Sequence, residues 1–258
     1  MINCVDLTSV ILAAGCGRRI QGLTERPKIL LPIRGESLLE RHLRIQKAVG
    51  IERVVIVVGY EKEQIFAAVE TCFEKPEVVF VESEDFRTKG NGYSLWLGLQ
   101  RVSGGALVFD GDLFYDETIL VRFLRKGGSS AVLIGPGNLD DVECAKALVD
   151  ARGMVRKTVD KRLFTEAELK GYRFAGEAIG VLRFDRERAR ALQELLQEFL
   201  NETGNIGLNW EHPLNRFLLR HDLSGYIEPS DQWLEIDDEA DYQTALERFE
   251  QCEVAAPS

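Results

Sequence analysis

Three times within the first 110 residues a short apolar run gives way to a segment of helical spacing, and this rhythm restricts the fold more than any other feature. Residues 10–14, 53–58, 78–81 and 106–109 are apolar runs of strand length. Continuous apolar character over so few residues is what a strand covered on both faces needs. Between them, residues 37–49, 62–74 and 94–102 have the spacing of helices, and Gly50 stops the first of these. Strand and helix in alternation predict an α/β chain with a Rossmann-like, mixed but mostly parallel sheet flanked by helices. Ligands of such sheets bind beyond the carboxyl ends of the strands. The glycine turn "GCGRR" at 15–19 and the "DGD" segment at 110–112 both fall at such ends.

The second half is less regular. Residues 131–134 read as a strand, "GPGNLDD" at 135–141 as a loop, and 147–149 with 154–159 as a hairpin turning at 150–153. A strand is expected at 177–184 and helices at 186–200, 211–220 and 238–250. No repeat or linker interrupts the 258 residues, which fits one domain. A nucleotide-binding half at about 1–116 and an acceptor-binding half at about 117–250 are expected within it.

Charge and cysteine usage exclude several classes. A net charge of -10 argues against a nucleic-acid surface, which needs surplus Lys and Arg, but a local basic cluster can still hold an anionic substrate. Cys4, Cys16, Cys72, Cys144 and Cys252 are odd in number, widely spaced and without a C-x-x-C pair, against both a disulfide framework and structural zinc. The apolar run at 10–14 is too short for a signal peptide or membrane span, so a cytoplasmic protein without a membrane partner is expected. His42, His212 and His221 show no metal spacing.

Gly15 and Gly17 allow close backbone approach, and successive amides in such a turn form an anion nest. Arg18, Arg19, Arg26 and Lys28 follow within a loop length, enough cations to hold a triphosphate. By itself the tripeptide also fits a plain turn with solvated basic side chains. The third glycine of a dinucleotide fingerprint and the "GK[ST]" of a P-loop are both missing. The whole block, "LAAGCGRR…RPKILLPI", resembles the signature of nucleotidyltransferases with a GT-A-like fold. The resemblance implies that Leu12, Ala13, Ala14, Gly15, Gly17 and Arg18 wrap a nucleoside triphosphate. It places Lys28 between donor and acceptor phosphates, with Arg19 able to assist Arg18.

Asp110 and Asp112 suit Mg²⁺, which takes a few carboxylates plus substrate phosphates, though Asp-Gly is equally a common turn. The resemblance makes Asp112 the metal ligand and Asp110 its support. Near the carboxyl end "WLEIDDEADYQTA" resembles a segment of phosphocholine cytidylyltransferases, which implies Asp237 as second metal carboxylate with Glu235 in support. "KGNGYSLWLG" holds a loop and a helix start that offer amides and polar groups, with an ordinary loop capped by Ser94 as the plain alternative. In the family this region recognises the base, implying Asn91, Tyr93 and Ser94. "GEAIG" resembles phosphocholine- and phosphonate-type members, which implies that Glu177 meets a cationic head group or orients a lysine, with a plain strand-edge carboxylate as the alternative. Trp210 and Glu211 offer an aromatic and an acid to an ammonium, although Trp210 fits core packing as well.

The expectation is a Mg²⁺-dependent cytidylyltransferase that joins CTP to phosphocholine, 2-aminoethylphosphonate, a hydroxyalkylphosphonate or inositol 1-phosphate and releases pyrophosphate. A sugar-1-phosphate uridylyl- or thymidylyltransferase is the neighbouring reading, and a non-catalytic nucleotide-binding module belongs to another class. Acceptor, pathway and oligomeric state, a homo-oligomer included, stay open.

Overall fold

In the computed structural model, which describes residues 4, 6–20, 26–72 and 75–250, the apolar runs pair as one nine-stranded sheet. The first half contains β1 (Leu7–Ala13), β2 (Pro32–Ile33), β3 (Glu36–Ser37), α1 (Leu38–Ala48), β4 (Arg53–Val58) and α2 (Lys62–Thr71). It continues with β5 (Glu77–Glu82), α3 (Asn91–Leu99), β6 (Gly105–Asp110), β7 (Leu113–Tyr115) and α4 (Glu117–Lys126). Then come β8 (Ala131–Gly135), β9 (Lys146–Val149), β10 (Val155–Val159), α5 (Glu166–Leu169), β11 (Arg173–Phe184) and α6 (Arg186–Asn201). The chain ends in α7 (Glu211–Phe217), β12 (Ser224–Ile227), β13 (Trp233–Glu235) and α8 (Glu239–Glu250).

Strands β5, β4, β1 and β6 form a continuous parallel block. β11 runs antiparallel to β6 and also pairs antiparallel with β8 and β9, β10 turns back on β9, and β12 lies parallel to β8. Only β10 and β11 therefore oppose the common direction, and the sheet is mostly parallel. Alternation along β1 builds both layers of the core. Ile11 and Ala13 join the layer containing Leu39, Phe114 and Phe123, whereas Val10, Leu12 and Ala14 join that of Leu95, Leu192 and Phe217. Complete burial of a side chain such as Phe109 is worth roughly 1.5–3 kcal/mol against exposure, so both faces contribute heavily.

Local chemistry sets the element ends. Ser37 and Glu40 form a reciprocal capping box at the start of α1, and Gly50, at φ +89°, ends that turn in the left-handed region. α3 begins at Asn91, three residues before its predicted start, because Gly90 takes the cap position that Ser94 was expected to hold. α7 stops at Phe217, short of the expected 220. The predicted end of α2 at residue 74 and Cys252 lie outside the described residues. Helix α4 and the short ribbon of β7 with β13 have no counterpart in the sequence reading.

Candidate active site

The site lies at the carboxyl ends of β1 and β6. After β1 the chain enters the glycine turn, where Gly17 adopts φ +53°. A Cβ there would stand 2.7 Å from Lys28 Cγ, so glycine serves both the backbone conformation and the passage of the lysine. Ile20, 1% exposed, anchors the far side of the turn. Lys28 begins a 3-10 turn whose other residues, Ile29 and Leu30, are buried. They hold its backbone on the core while its side chain crosses toward the strand ends.

Two distant segments meet that side chain. β13 pairs antiparallel with β7, Glu235 opposite Leu113, and the Ile236 amide donates to the Asp112 carbonyl at 3.0 Å. Asp112 and Asp237 are thereby set side by side. Lys28 Nζ donates to Asp112 Oδ2 at 2.7 Å, the Ile236 carbonyl at 2.9 Å and Asp237 Oδ1 at 3.2 Å. Asp237 Oδ2 is also held by Arg19 at 2.6 Å and Lys161 at 3.1 Å. Burial would raise the Asp237 carboxyl, but Lys28, Lys161 and Arg19 together hold it down at about 2. Burial likewise opposes the Lys28 ammonium, and Asp112 and Asp237 outweigh it, so its pKa rises.

The surrounding acids lack such compensation. Burial and then Asp112 push Asp110 up to about 8, despite the hydrogen bond from Trp210. Glu235 is raised by burial and by Asp112 and Asp110. Among the described residues the cavity, about 330 Å³, is lined by seven carboxylates but only four cations, Arg18, Arg19, Lys28 and Lys161. Such a surplus is chemically suited to a divalent cation. Among the described residues no three Asp, Glu, His or Cys side chains converge closely enough to enclose one. A metal here would complete its shell with substrate oxygens, as Mg²⁺ characteristically does.

Most of the residues singled out from sequence line this cavity: Leu12, Ala14, Gly15, Gly17, Arg18, Lys28, Asn91, Ser94, Asp110, Asp112, Trp210, Glu211, Glu235 and Asp237. Ala13, Tyr93 and Glu177 do not. Ala13 belongs to the opposite layer of the core. The Tyr93 ring lies under Lys89 Nζ, 3.9 Å from its centroid, and beside Trp96. Glu177 lines an adjoining cavity of about 320 Å³ that shares Glu143, Glu235 and Asp237 with the first. There it neighbours Cys144, whose thiol is pushed up to about 12 by burial and by Glu177 itself. The start of α3 offers fewer free amides than expected, since those of Gly92 and Tyr93 donate to the Leu208 and Gly90 carbonyls.

Glu211 lines the main cavity, and its buried Oε2 has no hydrogen-bond partner among the described residues. Burial, then Asp160 and Asp110, raise its carboxyl to about 8. Trp210, 2% exposed, donates its indole N–H to Asp110 Oδ2 at 3.1 Å. Sequence reasoning missed Glu143, Asp160, Lys161 and Asn209, all on the wall. Lys161 carried a usable signal, because it lies just past the end of a predicted hairpin strand. Its φ of +45° is rare for a residue with a side chain.

The model of the MobA-like NTP transferase domain matches residues 9–205. A 2-aminoethylphosphonate cytidylyltransferase from Lancefieldella rimae is 27% identical over 244 residues, covering 93% of this chain and 92% of that protein. The solved CTP:phosphocholine cytidylyltransferase LicC from Streptococcus pneumoniae superposes with a TM-score of 0.76 at 23% identity, over 94% of this chain and 99% of that one. A putative glucose-1-phosphate thymidylyltransferase from Bacillus anthracis gives 0.73 at 17% identity, over 97% and 98%. At these identities the two structures speak to the fold.

Proposed function

Because this chain belongs to the family of MobA-like NTP transferase domains, we propose that it is a cytidylyltransferase acting on a small phosphate- or phosphonate-bearing acceptor. The observation that carries the reading is the Lys28 ammonium held between Asp112 and Asp237 beneath the glycine turn. An acceptor oxyanion attacks the α-phosphorus of CTP, the bond from that phosphorus to the bridging oxygen breaks, and pyrophosphate departs with the electron pair. The attacking oxygen is already ionised near neutral pH, so the work is positioning and charge neutralisation.

The Gly15–Gly17 turn and Arg18, assisted by Arg19, hold the leaving phosphates. Leu12, Ala14, Asn91 and Ser94 face the nucleoside, and Lys28 draws the two anionic reactants together. Asp112 and Asp237, with Glu235 behind them, are the residues to hold Mg²⁺, which when bound supplies positive charge to the reacting phosphates. Residues 1–116 thus serve mainly the nucleotide, and 117–250 complete the metal carboxylates and serve the acceptor. Glu211 and Glu177 suit an acceptor bearing an ammonium group, which favours 2-aminoethylphosphonate or phosphocholine over inositol 1-phosphate. The full-length relative that bears the 2-aminoethylphosphonate name supports both the donor and the amine. No described helix is long and apolar enough to cross a membrane.

The test is pyrophosphate release with each common nucleoside triphosphate and Mg²⁺, across phosphocholine, 2-aminoethylphosphonate, hydroxyethylphosphonate, inositol 1-phosphate and glucose 1-phosphate. Release confined to CTP and an amine-bearing acceptor is expected. Release with UTP or dTTP and glucose 1-phosphate would move the chain to the sugar-phosphate reading. Nucleotide binding without turnover on any acceptor would favour a non-catalytic module.

A further inference from the structure

We infer that Trp210 is a positioning residue, a bracket that fixes Asp110 and the first turn of α3, and that its ring is not part of the acceptor's binding surface. The inference rests on the nucleotidyl-transfer reading but concerns a different residue and a different effect. Residues 206–210 are laced to the loop ahead of α3. The Gly90 amide donates to the Ile206 carbonyl at 3.0 Å, the Gly92 amide to the Leu208 carbonyl at 3.3 Å, and the Trp210 amide to Asn91 Oδ1 at 2.8 Å. The two strands of this lacing lie so close that a Cβ on Gly90 would meet the Leu208 carbonyl oxygen at 2.3 Å.

The same segment reaches two other walls of the cavity. Asn209 Nδ2 donates to Asp160 Oδ2 at 3.1 Å, beside Lys161, and Trp210 Nε1 donates to Asp110 Oδ2 at 3.1 Å. Asp110 is boxed from the other side by Gly180, where a Cβ would stand 2.7 Å from that same Oδ2. The carboxylate two residues before Asp112 thus has its rotamer set by one indole N–H and one missing side chain. With 2% of its surface exposed, Trp210 offers almost no ring face on which an ammonium could rest. Its polar edge does the work, and it acts through Asp110 and Asn91.

Trp210→Phe keeps an aromatic ring but removes the N–H together with the five-membered ring of the indole, so its fold is checked by thermal unfolding beside the kinetics. Leaving the buried Asp110 oxygen without its donor is costly enough that kcat should fall roughly ten- to hundredfold, with the acceptor KM within about twofold. Added to Asp110→Ala, Trp210→Phe should cause little further loss, since both remove the same contact. A kcat equal to wild type would show the indole to be filler, and a raised acceptor KM at unchanged kcat would return Trp210 to the acceptor surface; either overturns the inference. A second readout needs no turnover. In ¹⁵N-tryptophan-labelled protein, the Trp210 indole resonance, identified by its loss in Trp210→Phe, should shift in Asp110→Asn and on addition of CTP with Mg²⁺. A resonance indifferent to both also overturns the inference. Wild-type silence across the acceptor panel with a responding indole would instead fault the cytidylyltransferase reading.

Discussion

Replacing Lys28 by Met should separate two roles of one side chain, and the structure sets the size of each. The ammonium holds two carboxylates at 2.7 and 3.2 Å and a carbonyl at 2.9 Å, and its side chain is 16% exposed. Removing one partner of a buried ion pair costs about 3–5 kcal/mol, because the remaining charge is left uncompensated. Asp112 and Asp237 keep 26% and 28% exposure, so water re-enters and the lower end applies, about 3 kcal/mol. For a domain of this size that is a fall in Tm of roughly 6–12 °C. Added Mg²⁺ should recover part of it by supplying a cation to the same carboxylates. Turnover is a separate matter. A charge aimed at the transition state is worth about 10²–10³ in rate, and Mg²⁺ should not restore that loss. The assay is thermal unfolding with and without Mg²⁺ beside steady-state pyrophosphate release. An unchanged Tm would show that the ion triad carries no stability, and near-normal turnover would remove Lys28 from between the phosphates.

Two further outcomes follow from the carboxylates. Asp112→Asn keeps the Lys28 contact as a hydrogen bond to a neutral acceptor but weakens the proposed metal site; pyrophosphate release against a Mg²⁺ titration should be abolished, and retained activity would remove Asp112 as a proposed ligand. Glu211→Gln should change the pH dependence of stability. The native carboxyl titrates near 8 against 4.5 when free, so between those values the folded state holds a proton that the unfolded state has lost. Wild-type stability from this group therefore falls as pH rises through that window. The variant escapes the fall, so its Tm advantage should be near zero at about pH 4.5 and fully developed above about pH 8; a pH-independent difference would refute the burial argument.

What was legible in the sequence was whatever rested on local pattern. The strand at 53–58 was read residue for residue, and the glycine turn stands where its spacing indicated. Misplacements arose where a residue's direction depends on phase. Asn91 and Ser94 share a helix face at three-residue spacing, but Tyr93 lies off that face once α3 starts at Asn91. Glu177 and Ala178 are strand neighbours and face opposite sides, so Ala178 reaches the main cavity and Glu177 the adjoining one. The meeting of Asp112 with Asp237 came to the sequence reading only through family resemblance. Its physical cause is a pair of three-residue strands, too short for any periodicity to register. Helix α4 was detectable in principle, from Ile119, Leu120, Phe123 and Leu124 on one stripe behind the Asp116 cap.

The ribbon of β7 with β13 also bears on how the protein comes to be. Synthesis proceeds from the amino end, and the parallel block of β1, β4, β5 and β6 is complete by residue 110. Asp237 is then still more than a hundred residues away in sequence. A nascent chain halted between β7 and β13 therefore has the glycine turn, Lys28 and Asp112 but lacks the opposing carboxylate. Closing that contact is a long-range, slow step, since loop closure precedes its reward. Competence to act on a nucleotide in this sense waits on β13 and arrives in one step when that strand is laid against β7.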